Sequence, residues 1–299
     1  MHPAELIRSR GGVLHVDDLR RAGISRRLLT RLVDEQQLLR PRRGWYSTLD
    51  ASHPRFRAVR AGGRLTGASA LFDMGAWMLR PPSAIEVAVT RGSSRLRADD
   101  GAVLHWESSG DGGSASVVSL LDALFRVILD HDLEVAVPCL DWALHSGRMG
   151  RIGFERLLLM LPHTARCIRE WVDPAAQSVL ESVARVRLFR RGWRVRSQVR
   201  VGDLDAIDLV VNDHVALELD GREHHESWFV RDRRKDLQIA IEGRHCLRAS
   251  YGMVVDEWPR LEAAIVSAMR RRGVAHNSVI SIPEPRGRRH ASQASRLSD

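Results

Sequence analysis

The sequence predicts a mixed α/β protein (α+β), in which a helical N-terminal segment, a mixed α/β middle region and a C-terminal α/β region follow one another. Apolar residues recur at helical spacing within residues 26–35. Two short apolar runs with strand-like alternation, at residues 206–211 and 215–219, flank a turn at Asn212-Asp213. From residue 175 the predicted order is helix, three strands, helix, strand, helix.

Positive charge is concentrated at the N-terminus. The net charge is +9, and the first sixty residues hold thirteen basic and six acidic side chains, a local excess of +7. Such a segment favours contact with nucleic acid. Lys235 is the single Lys among many Arg, which indicates codon bias. That bias explains Arg over Lys, but not the concentration of Arg in one segment.

The composition also bears on the cellular compartment in which the protein is expected. The chain has no apolar run of the roughly eighteen residues that a membrane span needs. Its first residues lack the charged-then-apolar layout of a secretion signal. Cys139, Cys167 and Cys246 are odd in number and far apart, so they indicate neither a disulfide framework nor a zinc site. We expect a cytoplasmic protein without membrane contact.

The first segment predicts three helices and a hairpin. Helices are expected at Pro3–Ser9, from Val16 to a stop at Gly23, and at Arg26–Glu35 behind Ser25, a favourable N-cap. Residues 38–46 read as two strand-like pieces around a basic Pro/Gly turn. This order is that of a winged helix-turn-helix, whose third helix enters the major groove of DNA. The residues expected to contact bases or phosphates are Arg26, Arg27 and Arg31 on the helix and Arg40, Arg42 and Arg43 in the wing.

Two alternatives remain open for this segment. Its arginines can be the solvated surface of a small helical cap, and many winged helices bind protein rather than DNA. The middle region is less informative: it predicts a helix beginning at Gly67, strands at Ile85–Val89 and Val103–Trp106 with a turn between them, and largely helical structure over residues 117–161. Its histidines have no ligand spacing.

The C-terminal region places carboxylates inside apolar strands. Alternation puts Asp208 on one strand face with Val210, and puts Glu218 and Asp220 on the matching face of the next strand. If the strands pair, three carboxylates converge in a buried sheet. Unpaired buried charge is costly, and a divalent cation held by oxygen ligands is the simplest compensation.

The residues of this region resemble a known family. The matching features are Glu181 on the first helix, Gln198 on the first strand, Asp208, then Glu218-Leu-Asp-Gly221, His224-His225, Asp232-Arg-Arg-Lys-Asp236, Gly243 and Arg248. Together they resemble the PD-(D/E)XK restriction-endonuclease-like superfamily, in the group similar to very-short-patch-repair endonucleases. The N-terminal pattern from Gly11 to Ser47 resembles the winged helix of abortive-infection type IV antitoxins.

The endonuclease resemblance implies a restriction-endonuclease-like fold and Mg²⁺ or Mn²⁺ held by Asp208 and Glu218, with Glu181 and Asp220 as further metal ligands. The family's usual Lys, two residues after the acid, is replaced by Asp220, which cannot donate a positive charge. The missing cation is then expected from the next helix, at Lys235, Arg231 or Arg234. His224 is a candidate acid or base.

Two of these residues also have a structural alternative. Lys235 can be a solvated cation, and Glu181 can form an ion pair with Arg185 one helical turn away.

We expect four domains: a winged helix (1–50), a middle antitoxin-like or spacer domain (51–172), a nuclease-like domain (173–272) and a disordered basic tail (273–299).

The predicted function is that of a Mg²⁺-dependent DNA endonuclease or nickase of the restriction or repair type, which a winged helix directs to double-stranded DNA. The alternative is a DNA-binding repressor or antitoxin with a non-catalytic nuclease-like domain and a cognate toxin as its protein partner. An RNA-directed nuclease would have the same site chemistry.

Overall fold

The computed structural model describes residues 2–90, 96–97, 101–107, 112–202, 206–220, 229–270 and 282–285. Helices and several sheets alternate along the chain, which confirms the mixed α/β class. The chain forms two compact units, the first from Met1–Ala76 and Arg80–Val127, the second from Trp77–Leu79 and Ile128–Asp299. The predicted boundaries after residues 50, 172 and 272 stay predictions.

Among the helices in the described part of the chain, none has both the length and the apolar character that crossing a bilayer requires.

The first unit begins with a three-helix segment. Its elements are α1 (Pro3–Ser9), β1 (Val13–His15), α2 (Val16–Arg21), α3 (Arg26–Asp34) and β2 (Trp45–Ser47). The Ser25 hydroxyl accepts a hydrogen bond from the amide of Leu28 at 3.2 Å and caps α3. Leu29 and Leu32 are buried on the inner face of α3. All three predicted helices are present.

The predicted wing hairpin is present as one antiparallel bridge, in which the amides of Leu39 and Ser47 each donate to the carbonyl of the other at 2.8 Å. The second piece of the hairpin, β2, also pairs with β1 in the antiparallel register Leu14↔Tyr46. The sequence prediction missed β1. Before β1, Gly11 and Gly12 turn the chain out of α1 with left-handed backbone, and at Gly12 a Cβ would lie 2.6 Å from Cγ of Leu49.

The remainder of the first unit contains a small sheet with helices. Its elements are α4 (Pro54–Ala61), β3 (Arg64–Leu65), α5 (Gly67–Asp73), β4 (Ile85–Val89), β5 (Ala102–Trp106) and α6 (Leu120–Asp130), the last of which reaches into the second unit. The strands β4 and β5 are parallel, with Ile85 opposite Ala102. The single turn predicted between them is therefore wrong, because parallel strands need a crossover.

The second unit contains a four-stranded sheet. Its elements are α7 (Leu133–His145), α8 (Arg151–Met160), a 3₁₀ helix (His163–Trp171), α9 (Val179–Arg190), β6 (Val195–Arg200), β7 (Ala206–Val211), β8 (Val215–Asp220), α10 (Phe229–Ile241), β9 (His245–Ser250), α11 (Tyr251–Val255) and α12 (Trp258–Arg270). The sheet order is β6-β7-β8-β9, in which β9 is parallel to β8 and the other pairs are antiparallel. Apart from α11, this is the predicted order.

The sheet of the second unit is buried on both faces. Leu209 and Leu217 belong to a cluster that includes residues of α9 and α12. Val210 and Ala216 belong to a second cluster with Ile239 of α10. Of the tail that was predicted to be disordered, residues 282–285 are described. There the carbonyl of Pro283 accepts a hydrogen bond from the indole of Trp171 at 2.9 Å.

Candidate functional site

A row of polar residues crosses the sheet of the second unit. In the antiparallel register that pairs Leu209 of β7 with Leu217 of β8, Asp208 and Glu218 form the next pair of opposite residues. Glu218 in turn pairs with Arg248 on β9, and Gln198 on β6 lies between residues that pair with Ile207 and Leu209. Cross-strand neighbours share a face of a sheet, so the predicted convergence of Asp208 and Glu218 is present in the backbone register.

Glu181 reaches this row from the first turn of α9. Ser178 caps the helix, and its hydroxyl donates to Oε1 of Glu181 at 2.9 Å. The amide of Gln177 donates to Oε2 at 3.1 Å. Burial raises the pKa of Glu181, and the charge of Asp208 raises it further. The predicted alternative, a pair between Glu181 and Arg185, is wrong because Arg185 binds Asp141 at 2.5 Å.

Asp208 is linked to Glu181 by one side chain. Nε2 of Gln198 donates to Oε2 of Glu181 at 2.8 Å and lies 3.4 Å from Oδ1 of Asp208. The amide of Leu219 donates to the other oxygen of Asp208 at 2.7 Å. Burial raises the pKa of Asp208 despite these donors. Two carboxyl groups are thus held together around a neutral amide.

Glu218 is paired with Lys235. Nζ of Lys235 lies 2.7 Å from Oε2 of Glu218 and 2.6 Å from the carbonyl of Ala206. Both side chains are buried, so Lys235 is not a solvated surface cation. Burial raises the pKa of Glu218 to about 7, although Lys235 opposes this. Oε1 of Glu218 is buried and has no hydrogen-bond partner among the described residues.

The other predicted site residues have less defined positions. Asp220 is half-buried at the end of β8, and its charge raises the pKa of Asp208. Arg234 is exposed, whereas the side chain of Arg231 is outside the described part of the structure. His224 also lies outside the described residues. Among the predicted cations whose side chains are described, Lys235 is the one that contacts a carboxylate of the row.

The described carboxylates do not form a three-ligand cage. Among the described residues, no group of three or more His, Cys, Asp or Glu side chains has a geometry that could hold a metal ion. Mg²⁺ often uses only one or two carboxylates, with water and substrate oxygens as its other ligands. The unpartnered Oε1 of Glu218, opposite Asp208, fits a hard cation of that kind.

The predicted DNA-contacting arginines of α3 are all accessible. Arg26, Arg27 and Arg31 are exposed, on the side of the helix away from its buried leucines. Nε of Arg31 lies 3.8 Å from a carboxylate oxygen of Glu35, an exposed pair of low energetic value. This surface of α3 is therefore basic and open.

The wing arginines differ from one another. Arg40 and Arg43 are exposed, and Arg42 is half-buried. Arg42 lies against Gly62, where a Cβ would come within 2.5 Å of its Nη1. Arg42 is therefore less accessible to a phosphate than the two neighbouring arginines.

Gln198 and Arg248 contribute to the site in ways that the sequence did not predict. Gln198 was noted only as a matching feature, and its backbone is left-handed with φ +50°. Arg248 pairs with Asp236 at 2.7 Å, and its charge opposes part of the rise in the pKa of Glu218. No sequence pattern signals a positive φ at a glutamine.

Comparisons with known proteins bear on the N-terminal segment. A family model described as a transcriptional regulator, AbiEi antitoxin, matches residues 3–47. This range covers α1 to β2 and confirms the resemblance of the winged helix to antitoxins. The resemblance of the C-terminal region to the PD-(D/E)XK superfamily stays a prediction.

Two further comparisons add little. No curated protein sequence gives a significant match. The crystal structure of the RV2827C protein from Mycobacterium tuberculosis is 19% identical and matches with a TM-score of 0.29, over 60% of this chain and 78% of that chain.

Proposed function

We propose that the chain is a DNA-binding regulator of the antitoxin type, in which the N-terminal winged helix binds duplex DNA. The observation that carries this proposal is the family match over residues 3–47, which coincides with a helix that exposes Arg26, Arg27 and Arg31. In this proposal α3 lies in the major groove, and Arg40 and Arg43 contact backbone phosphates. A cognate toxin is the protein partner that the antitoxin description brings with it.

The test is duplex binding by the full chain in a mobility-shift titration over a range of salt concentrations. The Arg27→Ala/Arg31→Ala variant should bind duplex DNA at least about tenfold more weakly, because phosphate contacts are lost. The slope of log binding constant against log salt concentration should fall by about 0.9 for each lost contact. Arg156→Ala is the matched control, since Arg156 is exposed on α8 in the other unit. Equal binding by all three proteins would contradict the proposal.

We propose as a second function a metal-dependent hydrolysis of DNA phosphodiesters, by endonuclease or nickase action. The specific observation in its favour is the convergence of Asp208, Glu218 and Lys235, with a buried oxygen of Glu218 left unpartnered. Burying carboxylates with raised pKa values costs stability, and a bound ligand would compensate that cost.

Each residue has a defined part in this second function. Asp208 and Glu218 would hold Mg²⁺ or Mn²⁺, with Glu181 and Asp220 as nearby acidic groups. The cation, when bound, supplies an activated water and neutralises charge at the phosphorus. Lys235 orients Glu218 and provides the positive charge that Asp220 cannot. His224, outside the described residues, stays a candidate for proton transfer.

The test is cleavage of plasmid, nicked, mismatched and single-stranded DNA, and of RNA, with Mg²⁺ or Mn²⁺. The Asp208→Ala/Glu218→Ala variant is run beside the natural chain. Cutting that needs metal and is lost in the variant would support the hydrolytic function. Salt-sensitive duplex binding without any cutting would leave the regulator as the function.

A further inference from the structure

Gln198 has a conformation that its strand does not require. Its φ is +50°, in the left-handed region that non-glycine residues rarely adopt. Its neighbours Ser197 and Val199 keep regular antiparallel pairs with Leu209 and Ile207. The strand therefore continues on both sides of a single strained residue. Such outliers are costly and are characteristic of functional positions.

The side chain of Gln198 is fully engaged in this conformation. Its amide oxygen accepts a hydrogen bond from Nε2 of Gln177 at 3.1 Å. Its amide nitrogen faces Oε2 of Glu181 at 2.8 Å and Oδ1 of Asp208 at 3.4 Å. The two carboxylates fix the orientation of the amide, since a flipped amide would direct its oxygen at both of them.

The chemistry of an amide suits this position. An NH₂ group has two hydrogens, so one side chain can serve both carboxylates. An amide carries no charge and does not compete with a cation, whereas Lys or Arg would. Each carboxylate oxygen has further lone pairs, so the hydrogen bonds of Gln198 leave room for a metal ligand bond.

We propose that Gln198 is a positioning residue, which fixes the orientation of Asp208, a proposed ligand of the divalent cation, by joining it to Glu181, and keeps its left-handed backbone for that purpose. This inference rests on the proposed hydrolytic site. Outer-shell partners of metal ligands typically change metal affinity by about 10- to 100-fold when they are replaced. Gln198 should belong to that class.

The experiment measures Mn²⁺ binding to the full chain by calorimetry, together with thermal unfolding in the absence of metal. Gln198→Gly removes the side chain and relieves the strained backbone. Gln198→Met keeps the length of the side chain and removes the amide. Both variants should bind Mn²⁺ at least about tenfold more weakly, while the unfolding midpoint of Gln198→Gly shifts by less than about 4 °C.

The chain offers a matched control in Gln36, an exposed residue after α3 with φ +58°. Gln36→Gly makes the same chemical and backbone change away from the carboxylates, and it should leave Mn²⁺ affinity unchanged. Asp208→Asn/Glu218→Gln shows whether the ion binds at this site.

The outcomes distinguish the positioning role of Gln198 from the proposed hydrolytic site. Natural Mn²⁺ affinity in both Gln198 variants would overturn the positioning role and leave the hydrolytic site in place. A natural chain that binds no Mn²⁺, or binding that survives Asp208→Asn/Glu218→Gln, would overturn both. Weak binding by Gln198→Met with an unchanged unfolding midpoint would support the positioning role even if Gln198→Gly failed to fold.

Discussion

Replacing Lys235 by Met removes the cation that faces Glu218. The two charged groups are 2.7 Å apart and each side chain is 11% exposed. At that distance their attraction is about 6 kcal/mol for an effective dielectric constant of about 20. It offsets the cost of burying both charges, which is several kcal/mol for each ion. The substitution also leaves the carbonyl of Ala206 without the donor at 2.6 Å.

The expected loss of stability depends on pH. Burial raises the pKa of Glu218 to about 7 with Lys235 present, and loss of Lys235 should raise it further. Because the folded-state pKa lies above the ordinary value of 4.5, the contribution of Glu218 is complete below that value and is lost as pH rises through the folded-state pKa. Below about pH 7 both proteins hold a neutral Glu218.

We therefore expect Lys235→Met to reduce the free energy of unfolding by about 1 kcal/mol near pH 6, where mainly the Ala206 contact is lost. The reduction should grow to about 3 kcal/mol near pH 8.5, because the natural chain releases the Glu218 proton above about pH 7 whereas the variant, whose Glu218 pKa is higher, must keep it. Urea unfolding of the natural chain and of the variant at both pH values measures the difference.

Two further proteins make this test decisive. Lys235→Met/Glu218→Gln has no titrating carboxyl at this position, so its loss relative to the natural chain should not grow between about pH 6 and pH 8.5. Arg234→Met changes an exposed neighbour and should alter stability by less than about 0.5 kcal/mol. Equal losses for Lys235→Met at both pH values, with no rescue by Glu218→Gln, would refute the reasoning.

Three other predictions follow from buried contacts. Asp141→Asn leaves the guanidinium of Arg185 buried without its counter-charge and should cost about 3–5 kcal/mol in urea unfolding; a loss under about 1 kcal/mol would contradict this. Mn²⁺ affinity, measured by calorimetry, should rise about tenfold per pH unit up to about pH 7, because a proton competes for Glu218; constant affinity would exclude Glu218 as a ligand. Gly67→Ala puts a Cβ 1.8 Å from Oε2 of Glu86 at a φ of +55°, and should cost more than about 1 kcal/mol in thermal unfolding; an unchanged midpoint would contradict the close approach.

Local signals account for the parts of the fold that could be predicted from the sequence. Ser25 marked the start of α3 correctly, because its hydroxyl caps the first turn. The alternation around Asp208 and Glu218 predicted β7 and β8 to within one residue. Each of these signals depends on residues only a few positions apart, so a single sequence is enough to detect it.

Long-range pairing accounts for what was missed. Residues 13–15 are too short to indicate a strand, and β1 forms only because β2 supplies its partner. The parallel pairing of β4 with β5 depends on how the chain crosses between them, which alternation does not encode. Lys235 was one of three predicted cations on its helix. Its contact with Glu218 depends on how α10 packs on the sheet.

The cost of the polar row argues for a bound ligand rather than for packing. Asp208 accepts hydrogen bonds from Leu219 and Gln198, and one oxygen of Glu218 accepts a hydrogen bond from Lys235. Burial nevertheless raises the pKa of both carboxyl groups. Apolar residues of similar volume at such positions are often neutral or stabilising. A sheet that only had to fold would therefore gain nothing from an unpartnered oxygen at Glu218. A cation at that oxygen would reduce the cost, and the same cation would give the row its chemistry.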